Sequence, residues 1–447
     1  MQARGSIYGT RDAGRNWWKH LNQTLLDAGW VRSALEPALF YYRNPDGTLA
    51  GAIVSHVDDL VVTGGGEEFE KAFDIIKKKL KLKVTENNFV FCAKTVSRDD
   101  EGSFYVSQKE AAQNIEKIDV EKKRRSDPTS VLTEAELSEL RRVIGSVGWV
   151  ARQTRADLLC GVSLLAQSTS RPTVEELIDA NKLVEACRED AEFKLKLTSD
   201  SKLSLEDCDI VVSCDAAFAN ADDARLGKKT KSQCGYHIGL APRGAVDGED
   251  PFIINTLEVF SGTIKRVCRS TLAAEVNGVL EAVEAAIWIR AVMAEIVGKE
   301  FTIRNADAFS DGNGKTIRVL TDAKSLKDTV DRDGTGIPSD RRLRILLAQL
   351  KQSMECDNVA VDWVDTLAML ADSLTKVGTE RGFLLNVLQG GTYSPRQTEL
   401  MAARKAEIRE GRHRRAALRR AALQPAEPPH GLSASVGESP NGLSASG

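Results

Sequence analysis

Residues 269–290 read R-S-T-L-A-A-E-V-N-G-V-L-E-A-V-E-A-A-I-W-I-R. Leu272, Val276, Val279, Leu280, Val283 and Ile287 fall at helical spacing, so one stripe of a long helix faces a core. Glu275 stands in the first turns of that helix, beside the apolar stripe rather than opposite it. A carboxylate is costly to bury there without a partner or a cation. Three aspartates elsewhere each close or follow an apolar run: Asp215, Asp322 and Asp372.

Upstream of the helix, residues 210–214 (I-V-V-S-C) suit a buried central strand and lead into Asp215. Residues 234–240 and 251–257 are further strand candidates, followed by 258–265. Downstream, 317–320 form a strand ending in Thr321-Asp322, with a helix predicted over 323–330. Residues 341–354 are amphipathic and helical, 359–364 a strand, and 370–376 carry Asp372. The order is strand-Asp, two strands, helix-Glu, strand-Asp, helix, strand, helix-Asp. Such an order puts acids at the ends of neighbouring strands, where open α/β sheets place their sites. Four acids converging there would repel unless cations neutralise them, which points to metal-assisted phosphodiester hydrolysis. Taken singly, Asp322 and Asp372 also fit helix N-caps, and Glu275 an ordinary surface residue.

The first half has a different pattern. A turn and a helix occupy residues 8–30, with Trp17, Trp18, Leu21, Leu25 and Leu26 on the apolar face. Strands at 38–43 and 49–57 flank the turn N-P-D-G. The second runs into Asp58-Asp59, then Leu60-Val61-Val62-Thr63 and three glycines. The expectation is a tight, largely buried hairpin with both acids at its tip, either metal ligands or ordinary turn residues. Residues 121–130 (E-K-K-R-R-S-D-P-T-S) read as a charged linker. A helix capped by Thr133, with Glu136 three residues on, then opens a helical region with further helices at 157–168 and 174–189. Most Lys and Arg of that region read as solvated faces.

These stretches carry a family resemblance. S-H-V-D-D-L-V-V-T-G at 55–64 is similar to the Y-V-D-D-L-L-V-T-G motif of Ty1/copia-type retrotransposon reverse transcriptases. A-G-W-V-R-S-A-L-E-P-A-L-F-Y-Y-R upstream resembles L-G-F-x-x-S-x-x-D-P-S-L-F, and residues 89–91 and 104–108 resemble F-L-G-I and L-S-Q. I-G-S-V-G-W at 144–149 and T-R-A-D-L at 154–158 resemble L-V-G-S-L-x-Y and T-R-P-D-I. His56 stands where the family has Tyr, and Cys92-Ala93 replaces Leu-Gly. The second half resembles the ribonuclease H domain of the same elements. S-T-L-A-A-E at 270–275 looks like S-S-T-E-A-E-Y, L-T-D-A-K-S-L at 320–326 like the D-N/S-x-S-A/L strand end, and M-L-A-D-S-L-T-K at 369–376 like V-A-D-x-L-T-K.

The resemblance implies that Asp215, Glu275, Asp322 and Asp372 are metal ligands, with magnesium as the ion and manganese as the alternative. It implies the same role for Asp58 and Asp59 in a polymerase site. That site further needs an aspartate on an upstream strand, and no aspartate ahead of Asp58 closes an apolar run. The polymerase part is therefore expected to be truncated and inactive alone, with the missing N-terminal part of the polyprotein as partner. Many ribonucleases H also carry a His between the third and fourth acids, and none lies between Asp322 and Asp372. Lys324, Lys327, Arg341, Arg342 and Arg344 are candidates for phosphate contacts with an RNA–DNA hybrid.

Composition sets the outer bounds. A chain of 447 residues is too long for one ordinary core, and 42% apolar with 28% charged residues is typical of a soluble globular protein. A net charge of −3 argues against binding nucleic acid through bulk charge but leaves room for local basic faces. The eight cysteines are scattered without a C-x-x-C pair, which disfavours a zinc module. Without a secretory signal or a membrane-length apolar run, the expected location is intracellular: cytoplasm, within a virus-like particle, or nucleus. After Lys376 the chain reads as helical, then basic, then from Gln424 as a disordered Pro/Gly/Ser/Ala tail with G-L-S-A-S repeated.

The expected fold class is α/β: an α+β palm remnant at 1–125, a helical connection at 126–200, a mixed-sheet ribonuclease H-like domain at 201–380, and a tail at 381–447. The expected reaction is metal-dependent hydrolysis of RNA in hybrids. The rival is a catalytically decayed copy acting at most as a nucleic-acid-binding module.

Overall fold

A computed structural model describes residues 9–200, 203–223, 228–298, 301–304, 315–332, 338–378 and 381–396, with positions 402, 403, 406 and 410 beyond them. Residues up to Arg396 form one unit and those from Gln397 a second. The expected basic helix and repeat-bearing tail fall almost wholly outside the described residues.

Helix α1 (Ala13–Asp27) buries Leu21 and Leu25 and leaves its other face in solvent. Strands β1 (Val31–Arg32), β2 (Leu39–Arg43), β3 (Leu49–His56) and β4 (Asp59–Gly64) follow as an antiparallel sheet in that order. Helix α2 (Glu67–Leu80) closes the module, and Phe69, Ala72 and Ile76 meet Trp30, Phe40 and Ile53 in its core. The Phe69 ring sits over the cross-strand pair Gly51 and Gly64, where an added Cβ would lie 2.5 and 2.4 Å from it. The hairpin is less buried than its sequence suggests. Strand β4 is the sheet edge and half-exposed, because α2 covers one face and no described strand pairs with its outer side.

A second antiparallel sheet is built from β5 (Asn88–Phe91), β6 (Lys94–Arg98), β7 (Phe104–Ser107) and β8 (Lys194–Leu197). Between β7 and β8 lie α3 (Lys109–Gln113), α4 (Lys122–Arg125), α5 (Glu134–Gln153), a 3-10 turn at Ala156–Leu158, α6 (Leu159–Ser168) and α7 (Val174–Glu189). Thr133 and Glu136 form the expected capping box on α5. The charged run at 121–130 is mostly exposed, as a linker would be, but it is tied down at one point. Arg124 in α4 pairs with Glu136 at 2.7 Å and also donates to Ser130 Oγ and the Val131 carbonyl, so the capping residue doubles as an anchor.

The third sheet has the order β12-β10-β9-β13-β14. Strands β9 (Cys208–Asp223), β10 (Lys228–Pro242) and, after the short β11 (Phe252–Ile253), β12 (Asn255–Thr263) are antiparallel. Helix α8 (Thr271–Val297) crosses over, and β13 (Ile317–Thr321) then pairs parallel with β9. Helices α9 (Lys324–Val330) and α10 (Arg341–Cys356) lead to β14 (Val359–Trp363), parallel to β13. Helices α11 (Asp372–Thr375) and α12 (Gly382–Gly390) and strand β15 (Thr392–Tyr393), paired with β11, end the unit. The mixed α/β class is thus as expected.

Strand β9 is covered on both sides, which explains its near-continuous apolar run. Ile210, Val212 and Cys214 share a core with Val276, Val279 and Val283 of α8. The alternate residues face the other way, where Ser213 Oγ lies 3.6 Å from the Met369 sulfur. No helix among the described residues is long and apolar enough to cross a membrane.

Helix α8 also reaches back to the N-terminal module. Glu295, 3% exposed, accepts from Ser33 Oγ and, at 2.6 Å, from the Ala34 amide. Arg43 donates to the Glu295 and Gly298 carbonyls at 2.9 and 2.7 Å, satisfying groups that a helix C-terminus leaves open. Glu295→Ala would leave the buried Ser33 hydroxyl and the Ala34 amide without their acceptor. It is expected to cost about 2 kcal/mol in urea denaturation, and Glu295→Gln less.

Candidate metal centre

Asp215 enters the site from the middle of β9 and is 2% exposed. Asp322 follows the last residue of β13, the parallel neighbour of β9. Glu275 comes from the second turn of α8, whose start is fixed by Ser270 Oγ accepting the Ala273 amide at 3.1 Å. A carboxylate oxygen from each of these three residues lies within 4.8 Å of the others. Glu275 is 6% exposed, and its Oε2 is buried without a hydrogen-bond partner.

The fourth acid arrives on α11. Asp372 is its first residue, and Lys376 just past its end pairs with Asp372 and, at 3.2 Å, with Asp215. Thr375 Oγ1 donates to Asp215 Oδ2. Helix α11 comes this close because β10 carries glycine opposite Asp215: a Cβ on Gly235 would stand 2.5 Å from that of Leu374. At the outer side, Thr366 Oγ1 donates to Asp322 Oδ2 at 2.8 Å, and the half-exposed Trp363 donates its indole N–H to the Asp322 carbonyl at 3.1 Å.

The electrostatics follow from this crowding. Burial, then the charges of Asp215 and Asp322, push the Glu275 carboxyl up to about 9. Burial also raises Asp215, to about 6, against the opposing pull of Lys376 and Thr375. Lys376 is raised because its two carboxylate neighbours outweigh its own burial. Carboxylates that resist ionising together, with one buried oxygen unpartnered, fit a hard divalent cation with oxygen ligands.

No family model matches the chain. It is 25% identical over 234 residues to the transposon Ty5-1 protein of Saccharomyces cerevisiae, covering 49% of this chain and 73% of that one. It is 24% identical over 305 residues to the retrovirus-related Pol polyprotein from transposon RE2 of Arabidopsis thaliana, covering 66% of this chain. In sequence, the chain is similar to these retrotransposon proteins. It spans only 19% of the length of the Arabidopsis polyprotein. Among solved structures, a foamy viral protease-reverse transcriptase in complex with double-stranded DNA matches 70% of this chain and 46% of its own, at 13% identity and TM-score 0.38. LC11-RNase H1 in complex with an RNA/DNA hybrid matches 37% of this chain and 93% of its own, at 14% identity and TM-score 0.23. At such scores these two likenesses add nothing to what the sheet order itself shows.

The fold brings Asp215, Glu275 and Asp322 together and links Asp372 to them through Lys376. Neither Asp322 nor Asp372 is a helix N-cap: Ala323 and Ala371 hold those positions. Asp58 and Asp59 stand apart, at the exposed tip of the β3–β4 hairpin. Val57, in that turn, has φ 56°, an unusual conformation for a β-branched residue, and Trp17 Nε1 donates to its carbonyl at 2.6 Å. Among the candidate phosphate contacts, Lys327 is paired with Asp331 and Arg344 donates to the Pro338 carbonyl. Arg341 and Arg342 line surface hollows beside the N-terminus of α10, together with Arg269. Gly235, Thr366, Thr375 and Lys376 acquire roles that sequence reasoning did not assign. Only Thr375 and Lys376 carried a readable signal, as the T-K that closes the motif at 369–376.

The raised carboxyls set a pH dependence. Glu275 binds its proton more tightly folded than unfolded, so the stability this confers is full below the ordinary carboxylate range and is lost as pH rises towards about 9. Melting in EDTA should therefore fall between pH 5 and 9. Glu275→Gln should flatten that slope, as followed by circular dichroism.

Proposed function

We propose that this chain is a reverse transcriptase–ribonuclease H fragment of a retrotransposon Pol protein, and that it hydrolyses the RNA strand of RNA–DNA hybrids with magnesium, or alternatively manganese. The observation that carries the reading is the meeting of three carboxylates from three separate elements, one with a buried oxygen that no protein donor satisfies. The kinship with Pol proteins supports the substrate class.

Asp215, Glu275, Asp322 and Asp372 would hold the ion. When bound, it supplies charge neutralisation and an acidified water for attack on phosphorus, with the P–O3′ bond breaking to leave a 3′-hydroxyl and a 5′-phosphate. The surrounding residues prepare the site for that. Thr366 and Thr375 each fix one carboxylate oxygen, so Asp322 and Asp215 keep their orientation. Lys376 offsets the repulsion between Asp215 and Asp372 and lowers the cost of keeping both ionised. Asp322 is the least buried of the three clustered acids, which makes its side the approach for a phosphodiester.

The test is cleavage of a labelled RNA strand within a hybrid. The chain should cut it with magnesium, and Asp322→Asn should reduce the rate at least about a hundredfold by removing a ligand. Absence of cleavage by folded protein in either magnesium or manganese would instead support the decayed-copy reading.

The Asp58-Asp59 hairpin supports a separate expectation. Among the described residues no third metal-ligating side chain joins this pair, and two-metal phosphoryl transfer needs carboxylates around both ions. The chain alone is therefore expected not to extend a primer on an RNA template. Extension that Asp58→Asn abolishes would overturn this.

A further inference from the structure

The T-R-A-D motif at 154–157 has no part in the metal centre as described so far, yet its charges are fully buried. Asp157 has no exposed side-chain surface and accepts both donors of Arg155, at 2.9 and 3.0 Å. Arg155 also donates to the carbonyls of Ala186, Cys187 and Asp190, so it gathers the end of α7. A second guanidinium reaches Asp157 from far along the chain: Arg381 Nη1, at 3.3 Å. Arg381 is the N-cap of α12, shortly after α11.

The other end of the helical region also reaches α11. Gln233 on β10 is fully buried, and its amide nitrogen donates to Ser163 Oγ of α6 and to Ser261 Oγ of β12, both at 2.9 Å. Gln167 of α6 donates to the Gln233 carbonyl oxygen at 3.1 Å. Ser261 Oγ in turn donates to the Leu374 carbonyl at 2.6 Å, and Asn220 Nδ2 to the Thr375 carbonyl at 2.8 Å. A hydrogen-bonded relay thus runs from α6 through Gln233 and Ser261 to the last turn of α11.

Helix α11 is four residues long, too short to hold its own shape. Its position is set by what grips it, and it delivers Asp372, Thr375 and Lys376 to Asp215. We propose that Arg155, Asp157 and Arg381, together with the Ser163–Gln233–Ser261 relay, are positioning residues for the metal centre, so that the helical region fixes where the fourth acid stands. The inference rests on the metal-centre reading above. It gives the T-R-A-D motif a role at a site to which it contributes no ligand.

The test uses the full chain and four variants: Arg381→Met, Arg381→Lys, Ser163→Ala and Asp322→Asn. Amide hydrogen exchange is read at residues 372–376 and in β9 and β13, and magnesium binding by titration calorimetry. Arg381→Met and Ser163→Ala should each speed exchange at 372–376 by about tenfold, leaving β9 and β13 unchanged. They should weaken magnesium binding by about tenfold, and Arg381→Lys should recover most of the loss. Unchanged exchange at 372–376, an equal rise across the sheet, or unaltered magnesium affinity would overturn the proposal. Asp322→Asn separates the two readings. If wild type binds no more magnesium than this variant, the metal-centre reading fails and the positioning role falls with it. If wild type binds and only the Arg381 and Ser163 variants behave as wild type, the positioning role alone fails.

Discussion

Like charges held together out of water are the constraint on which this structure turns. At separations within 4.8 Å, a fully ionised carboxylate pair repels by at least about 3 kcal/mol at an effective dielectric constant of about 20. A hydroxyl donating to a carboxylate, as Thr366 and Thr375 do, returns about 1.5–3 kcal/mol. Two such bonds orient the acids and offset only part of the repulsion among three clustered carboxylates. The protein is left with protonation, which is the state the raised Glu275 and Asp215 carboxyls describe, or with cations. One cation is built in: Lys376, shared by two of the acids. Its single charge does not balance four carboxylates.

Much of the remaining architecture is what it takes to hold that arrangement. The parallel pairing of β13 with β9 sets Asp322, just past the end of β13, beside Asp215 in the middle of β9. An antiparallel pairing would carry Asp322 away from Asp215. Helix α8 lies on one face and α11 on the other, so the site is assembled where β13 ends against β9. Gly235 is the hinge of this layout, since any side chain there would drive α11 away from β10 and Asp372 with it.

The sequence made the elements legible and left their mutual grip hidden. Helix α7 runs over the range expected for it, and the capping box at Thr133 and Glu136 is present as read. Those features are local, decided by residues three or four apart. The acids were also legible, because each closes or follows an apolar run. What escaped is non-local. The charged run at 121–130 read as a plain linker because nothing in it shows that Arg124 turns back onto Glu136. Strand β4 looked buried because apolar residues alone do not distinguish a central strand from an edge. Gly235, in a strand, gave no sign of the helix that packs on it.

Arg155 shows why such misreadings share one cause. A guanidinium on a helical segment is usually a solvated charge, and its neighbours in sequence say nothing against that. Here it is 2% exposed, paired bidentately with an aspartate that it also shares with Arg381, more than two hundred residues away. Burying that cluster is tolerable only because every member has partners, and removing one would strand the others. The Asp58-Asp59 hairpin is the converse case. Its acids are the most recognisable dipeptide in the chain, yet the fold surrounds them with no further metal ligand among the described residues. Whether an acid or a base is chemistry or scaffold is therefore set by what converges on it. In this chain, convergence comes from strand pairing and helix packing between residues tens to more than two hundred apart.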